Sequence, residues 1–173
     1  MDANIKVGTS VGVKSKGFLA FFIRAFTGVP YSHWFMVVIA QCDSLDGKVK
    51  KGDKCITEAV EEGIVYSPLN KYDDTSKYTL IKREPVFSYD ENIINNEALK
   101  HFGNPYDVED LVLEQPFFIE TGLWVFGKPV DKWICVKFVL YLLFKSSGEK
   151  YFADWYESSN KLLTTTNLLK TIN

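Results

Sequence analysis

Residues 32–40 read SHWFMVVIA, and the prediction of the fold starts from this stretch. It is rich in aromatic and β-branched side chains and too short for a typical helix, so it predicts a central β-strand. A second stretch, residues 134–144 (ICVKFVLYLLF), is apolar on almost every side and is followed by Gly148. That pattern predicts a buried helix. A strand early in the chain and a buried helix late in it indicate an α+β domain.

The segments around these two stretches predict the rest of the domain. Further strands are expected over residues 5–13, 55–60, 63–66 and 77–83. Asp90 is suited to cap a helix that runs to about His101, with Gly103 as its end. Other short helices are expected over residues 17–26, 107–113 and 162–172. Residues 114–132 are irregular but rich in apolar side chains, which is typical of a loop that lines a cleft. The whole chain, residues 1–173, is expected to form one domain, with a small, mainly antiparallel sheet packed against the buried helix.

Composition and charge exclude several classes of protein. The chain has 46% apolar and 24% charged residues, a formal net charge of −2 and no stripe of basic side chains interleaved with aromatic ones. We therefore expect no nucleic-acid partner. The most apolar early stretch, residues 17–26, falls short of the roughly 20 residues that cross a bilayer, so no transmembrane segment is expected. Residues 1–16 lack the apolar core of a signal peptide, which favours a cytoplasmic location. The sequence leaves the oligomeric state open.

The three cysteines, Cys42, Cys55 and Cys135, are an odd number at wide spacings. They form no C-x-x-C pair, so neither a zinc site nor a redox dithiol is predicted. Free thiols of this kind fit a reducing compartment. We expect no metal and no organic cofactor.

Thiol hydrolysis needs a thiolate, a histidine that exchanges a proton with it, and a group that orients the histidine. The chain has two histidines. His33 opens the predicted central strand, where the ordinary alternative is a histidine bonded to a backbone carbonyl. His101 lies at the predicted C-terminal end of a helix, and favourable interaction with the helix dipole accounts for it.

Cys135 lies in the first turn of the predicted buried helix, where backbone N–H groups and the helix dipole stabilise a thiolate, and Lys137 would add to this. The alternative is a small apolar core residue. Cys42 and Cys55 are expected to be structural. Glu58 is flanked by apolar residues on the strand that follows the His33 strand. It could orient an imidazole, or it could face solvent.

Taken together, these segments resemble a family, the permuted papain-like amidases of the YaeF/YiiX type, which are relatives of the NlpC-type cell-wall peptidases. Four blocks match in order over residues 7–143. They are Gly8–Val13 with residues 16–19 and 23–27, Pro30-Tyr31-Ser32-His33, Ile56-Thr57-Glu58-Ala59 with Gly63-Ile64 and Pro68-Leu69, and Gly103-Asn104-Pro105-Tyr106-Asp107 with Cys135.

The resemblance implies a circularly permuted papain-like fold, because His33 precedes Cys135 here whereas the cysteine comes first in the unpermuted relatives. It implies a catalytic triad of Cys135, His33 and Glu58, with Tyr106 and Tyr31 at the substrate cleft. The activity that it implies is hydrolysis of an amide bond through a thioester. The substrate would be a small peptide or acyl-amide, such as a peptidoglycan peptide, in a bacterium or a phage.

Two departures from the family pattern keep other functions open. The family often has serine and glutamate directly after its cysteine, whereas this chain has Val136 and Lys137. It usually has a small or β-branched residue after its histidine, whereas this chain has Trp34. One alternative is an acyltransferase or lipid-directed hydrolase that holds an acyl chain with residues 117–126. Another is an inactive papain-like binding or virion component. A third reading makes residues 17–26 an interfacial membrane helix.

Overall fold

The computed structural model describes residues 1–2, 4–16, 31–106 and 135–148, together with the backbone of residues 169–172. Six strands and two helices lie within these residues. They are β1 (Ser10–Ser15), β2 (His33–Ile39), β3 (Lys54–Val60), β4 (Gly63–Pro68), β5 (Tyr78–Pro85), α1 (Glu91–His101), α2 (Cys135–Ser146) and β6 (Leu169–Ile172). The predicted α+β class is confirmed.

The strands form one antiparallel sheet in the order β4-β3-β2-β1-β5-β6. β2 lies inside the sheet, between β3 and β1, and its five middle residues are buried. Side chains alternate between the two faces of a strand, so β2 contributes to two cores. The apolar run in residues 32–40 reflects this burial on both faces.

One face of the sheet carries the two helices. α2 packs on β2 and β3 and also against α1. Its apolar side chains meet the side chains that β2 directs to this face, which explains why α2 is apolar almost all round. The largest fully buried side chains of this core are Trp34, Met36, Ile64, Ile94, Phe138, Leu140, Leu142 and Leu143.

The opposite face carries a smaller core, and neither helix of the described residues packs on it. It is built from Ile5, Val11, Val13, Phe35, Val37 and Ile56, with Leu69, Tyr72, Tyr78 and Leu80 packed over them. The loop between β4 and β5 supplies Leu69 and Tyr72, so this loop is held against the sheet. His33 and Glu58 lie on the same face.

Helix α1 has Asp90 as its N-cap residue, as predicted. The Asp90 carboxylate accepts a hydrogen bond from the Asn92 backbone N–H at 2.8 Å, which satisfies one of the free donors of the first turn. Further along, the buried Asn95 accepts the Ile39 backbone N–H through Oδ1 at 2.9 Å. This bond ties α1 to the end of β2.

The turn after α1 is fastened to β4 at a glycine. Gly63 has φ +108°, and a Cβ placed there would lie 2.5 Å from the Asn104 carbonyl oxygen. Only a glycine permits this approach. The Ile64 N–H donates to that oxygen, and the Gly103 N–H donates to the Ile64 carbonyl.

Two expectations about the strands need correction. β1 begins at Ser10 rather than at Ile5, because a turn with Gly8 at φ +84° precedes it, although Ile5 and Val7 are buried. The end of the chain was expected to be helical, but residues 169–172 pair with β5 as β6. Residues 17–26, 107–113, 114–132 and 162–168 lie outside the described residues. Neither of the two described helices has the length and apolar character needed to cross a membrane.

Candidate active site

His33 and Glu58 meet because of the register of β2 and β3. Phe35 pairs directly with Glu58, so His33, two residues before Phe35, is a diagonal neighbour of Glu58 on the same face. The distance from His33 Nε2 to Glu58 Oε2 is 2.8 Å. An ionised carboxylate can only accept a hydrogen bond, so Nε2 carries a proton and the Nε2–H group donates the hydrogen bond to Glu58.

Cys135 is the first residue of α2, and the side chain of His33 reaches it from the start of β2. The His33 ring and the Cys135 sulfur are hydrogen-bonded. Because Nε2 already faces Glu58, Nδ1 is the nitrogen that faces the sulfur. The backbone N–H groups of Trp34 and Val136 also donate to the sulfur. The structure therefore brings Cys135, His33 and Glu58 together in one row.

The cysteine and the histidine shift each other's protonation. Burial alone would lower the pKa of His33, but its hydrogen bonds and charge interactions with Cys135 and Glu58 outweigh burial and raise that pKa to about 10. Burial would raise the pKa of the Cys135 thiol, but His33 and the two backbone N–H groups bring it below the ordinary value. Both shifts favour the thiolate–imidazolium form of the pair over the neutral form.

Glu58 is fully buried and remains ionised. Burial would raise the pKa of its carboxyl group, but His33 and Lys71 hold that pKa well below the usual range. Lys71 Nζ lies 2.6 Å from Oε1, and the Tyr72 hydroxyl donates to Oε2 at 2.7 Å. The alternative of a solvent-facing strand residue is therefore wrong.

Lys71 and Tyr72 were not predicted from the sequence. They lie in the loop after β4, separated from Pro68-Leu69 only by Asn70, and that position close to a matching block is the one signal that could have pointed to them. The Tyr72 ring stacks on Phe35 at 5.2 Å between centroids and lies 6.0 Å from the His33 ring. Burial and the nearby Glu58 raise the pKa of Tyr72, so its hydroxyl stays a donor.

The two tyrosines predicted at the cleft lie on the helix-side core. The Tyr31 ring meets the Trp34 indole edge-on at 5.5 Å between centroids. The backbone N–H of Trp34 is one of the two that donate to the Cys135 sulfur. Tyr106 follows the turn after α1 and packs against the same core while partly exposed. Their contact with a substrate stays a prediction.

The other cysteines and the second histidine have different surroundings. Burial, followed by the charge of Asp53, raises the pKa of Cys55 to about 12, and burial also raises that of Cys42. Neither thiol is a thiolate at neutral pH. His101 ends α1, where its Nδ1 lies 3.0 Å from Asn104 Nδ2 and its ring packs edge-on to Tyr141. These positions agree with the structural roles expected for them.

A cavity of about 480 Å³ opens at the end of the sheet where β2 begins. Its lining comes from the end of β1 and from the start of β5, and it includes Ser15, Lys16, Ser76, Lys77 and Tyr78. The hydroxyls of Ser15 and Ser32 lie 3.1 Å apart, which connects this cavity to the residue before His33. The Tyr78 ring contacts the Tyr72 ring at 5.1 Å.

No protein-family model and no curated protein matches the chain. Among solved structures, it is similar to the crystal structure of the metalloprotein YiiX (DUF1105) from Escherichia coli O157:H7. The sequences are 17% identical, the TM-score is 0.54, and the match covers 97% of this chain and 96% of YiiX. At this level of identity the likeness concerns the fold. The chain has a YiiX-like fold over nearly its whole length.

Proposed function

We propose that this protein is a cysteine hydrolase of the permuted papain-like type, which cleaves an amide bond in a peptide or small acyl-amide. Cys135 is the nucleophile, His33 the acid and base, and Glu58 the group that orients His33. The observation that carries the proposal is the contact between His33 and the buried Cys135 sulfur, with Glu58 on the far side of the ring.

The first half of the reaction forms a thioester. The Cys135 thiolate attacks the amide carbonyl carbon, and the backbone N–H of Cys135 at the start of α2 stabilises the oxyanion. His33 donates its Nδ1 proton to the leaving nitrogen as the C–N bond breaks. The amine departs, and the enzyme holds an acyl thioester and a neutral imidazole.

The second half hydrolyses the thioester. Neutral His33 accepts a proton from water through Nδ1 while the water oxygen attacks the thioester carbonyl. The C–S bond then breaks and the carboxylic acid leaves, which restores the thiolate and the imidazolium. Glu58 holds the Nε2 proton throughout and so keeps Nδ1 directed at the sulfur.

The residues after the cysteine are compatible with catalysis. Val136 stands where the family often has serine, but its contact with the Cys135 sulfur is made by the backbone N–H. Every residue except proline has this group. We therefore favour an active enzyme over an inactive binding component.

A resident metal does not fit this site. YiiX is described as a metalloprotein, and a metal needs several side chains that converge on one point. Cys135 and Glu58 instead lie on opposite nitrogens of His33, and the second Glu58 oxygen contacts the Lys71 cation. Among the residues that the structure describes, no group of three or more His, Cys, Asp or Glu is arranged to hold a metal ion. The proposed mechanism uses none.

For the substrate, we propose a peptide with a carboxylate near the scissile bond. The cavity near the start of β2 has Lys16 and Lys77 in its lining. Lys77 pairs with Asp74 at 3.1 Å, whereas Lys16 Nζ donates only to the Ser76 carbonyl among the described contacts, and ammonium groups at a cavity attract a carboxylate. Peptidoglycan stem peptides have this chemistry.

Matched peptides with glutamate or glutamine beside the scissile bond test this substrate proposal, because Lys16→Met and Lys77→Met should raise KM for the glutamate peptide alone. Equal KM values for both peptides in the wild type would rule it out.

Thiol reactivity tests the proposed site before a substrate is known. Limiting iodoacetamide is applied across a pH series, and mass spectrometry locates the label in the wild type and in His33→Ala. Cys135 should label faster than Cys42 and Cys55 below pH 7, with a midpoint below the ordinary thiol pKa of about 8.5. His33→Ala should abolish this advantage. If Cys135 is no more reactive than the other two, the proposed function fails.

A substrate panel then tests the reaction class. Peptides, acyl thioesters and acyl lipids are incubated with the wild type and with Cys135→Ala, and intact-protein mass spectrometry looks for an acyl adduct on Cys135. An adduct and a free amine from a peptide support an amidase. Turnover of acyl lipids or thioesters alone would replace it with the lipid-directed alternative.

A further inference from the structure

The loop between β4 and β5 places two donors on Glu58 that the triad itself does not require. Lys71 takes one carboxylate oxygen at 2.6 Å, and Tyr72 shares the other with His33. Lys71 also lies 3.4 Å from Ser67 Oγ, and Tyr72 is stacked on Phe35. These contacts hold both side chains against the sheet, although the Lys71 side chain is 38% exposed and Tyr72 is half-buried.

We infer that Lys71 and Tyr72 are positioning residues that keep the Glu58 carboxylate ionised and directed at His33 through the whole catalytic cycle. This inference rests on the proposed function. It means that two residues of the loop between β4 and β5, which are not part of the triad, keep Glu58 from taking up a proton.

The reason lies in how the charges change during the reaction. Before attack, the row contains a thiolate, an imidazolium, a carboxylate and an ammonium group, and these charges sum to zero. After the thioester forms, Cys135 and His33 are both neutral. The fully buried Glu58 then depends on Lys71 for a positive partner, and a buried carboxylate without one is costly. With Lys71 present, the remaining two charges again sum to zero.

Without Lys71, protonation of Glu58 becomes more favourable, and the nearest source of a proton is His33. A neutral Glu58 would no longer stabilise the imidazolium, and the thiolate would lose the cation beside it. The described groups that face this row are His33 from β2, Lys71 and Tyr72 from the loop, Tyr78 from β5 and Cys135 from α2. When the thioester forms, His33 loses its charge, and Lys71 is then the cation that remains in contact with Glu58.

The pH profile of Cys135 alkylation tests this inference, because a purely structural role would not move it. Iodoacetamide is uncharged, so removal of a lysine does not change the attraction of the reagent. An opposite charge within hydrogen-bond reach shifts a pKa by about one to three units, which applies to Glu58 beside Lys71. Because this change reaches the thiol only through His33, the Cys135 midpoint in Lys71→Met should rise by about one pH unit. At a pH below both midpoints, labelling should be about tenfold slower than in the wild type. Lys71→Arg should restore the wild-type profile.

Lys50→Met is the matched control, because Lys50 is exposed and pairs with Asp43 in a distant turn. It removes the same charge and should leave the midpoint unchanged. Tyr72→Phe removes one hydroxyl and should raise the midpoint in the same direction by a smaller amount. It also serves as the second variant if Lys71→Met does not fold.

A double variant shows whether Lys71 acts through Glu58. Glu58→Gln alone should raise the midpoint, and addition of Lys71→Met should raise it no further. An additive shift would overturn the proposed route. A low midpoint in the wild type that both Lys71→Met and Tyr72→Phe leave unchanged would overturn the inference and leave the proposed function intact. An ordinary midpoint in the wild type would instead refute the proposed function.

Discussion

His33 Nε2 and Glu58 Oε2 lie 2.8 Å apart, although 25 residues separate the two side chains in sequence. The contact is a diagonal pair between β2 and β3, and it directs the other imidazole nitrogen toward Cys135 at the start of α2. Because strand register places these groups, the geometry of the candidate site depends on the sheet. Substitutions that change the charge of the site, as at Glu58, and substitutions that disturb the sheet, as at Gly63, should therefore have separable effects on stability and on Cys135 reactivity.

The pH range of activity should be wide. Catalysis needs the Cys135 thiolate and the His33 imidazolium together, so the acid limb follows the lowered pKa of Cys135 and the alkaline limb follows the pKa of His33 at about 10. Between the two limbs, kcat/KM for an amide substrate should be flat. A coupled pair titrates with apparent values that belong to the pair.

Ring-proton NMR of His33 from pH 5 to pH 11 checks the alkaline limb without a substrate. His101 in the same spectrum is the internal reference. Loss of the His33 proton near pH 6.5 in the wild type would contradict the ion pair.

Much of this arrangement is visible in local sequence. The apolar run of residues 32–40 marks β2, Asp90 marks the beginning of α1, and the apolar helix that starts at Cys135 places a thiol at a helix N-terminus. Each of these signals depends on side-chain periodicity or capping, which act over a few residues. The candidate residues Cys135, His33 and Glu58 came from the order of four blocks, and the structure brings all three together.

The parts of the fold and of the candidate site that the sequence did not predict depend on contacts between distant segments. Lys71 and Tyr72 lie in an irregular loop, and apart from their position close to the Pro68-Leu69 block no local pattern indicates that they fold back onto Glu58. The last strand, β6, has four residues, and its identity is decided by pairing with β5 rather than by its own pattern. Short strands of this kind take their conformation from the partner strand.

Glu58 should make the protein sensitive to acid. The native pKa of its carboxyl group lies below the ordinary value of 4.5, so the unfolded chain binds more protons as the pH falls through this range, and stability is lost. Between pH 6 and pH 3 the loss should be about 2 kcal/mol, at about 1.4 kcal/mol for each pH unit below 4.5.

The measurement is urea unfolding at both pH values in a Cys135→Ala background, which removes the titration of the thiol. Glu58→Gln in that background should lose about 2 kcal/mol less over the same interval. Equal losses in the two proteins would show that Glu58 is not ionised in the folded state at low pH.

The bond from Ile39 to Asn95 should stabilise the end of β2. Asn95→Leu leaves the Ile39 N–H without its acceptor inside the protein, and a buried donor without a partner costs about 1–3 kcal/mol. Asn96→Leu is the control, because Asn96 is the exposed neighbour on the same helix. Thermal and urea unfolding should separate the two variants. Comparable stability for both would mean that the bond contributes nothing.

Gly63 should tolerate no side chain, for two reasons that a control can separate. Its φ of +108° is strained for other residues, and its Cβ would lie 2.5 Å from the Asn104 carbonyl oxygen. Gly47 has a positive φ of +70° but nothing within 4 Å of a Cβ. Gly47→Ala should therefore cost about 1 kcal/mol, which is the backbone strain alone.

Gly63→Ala should cost more, about 3 kcal/mol, because the clash must push the turn after α1 away from β4. Urea unfolding of both variants measures the difference. Since β4 pairs with β3, which carries Glu58, Gly63→Ala should also slow alkylation of Cys135 while Gly47→Ala leaves it unchanged. If the two variants lose equal stability, the contact with Asn104 does not fasten the turn, and the scaffold around Glu58 must be held by β3 and the loop alone.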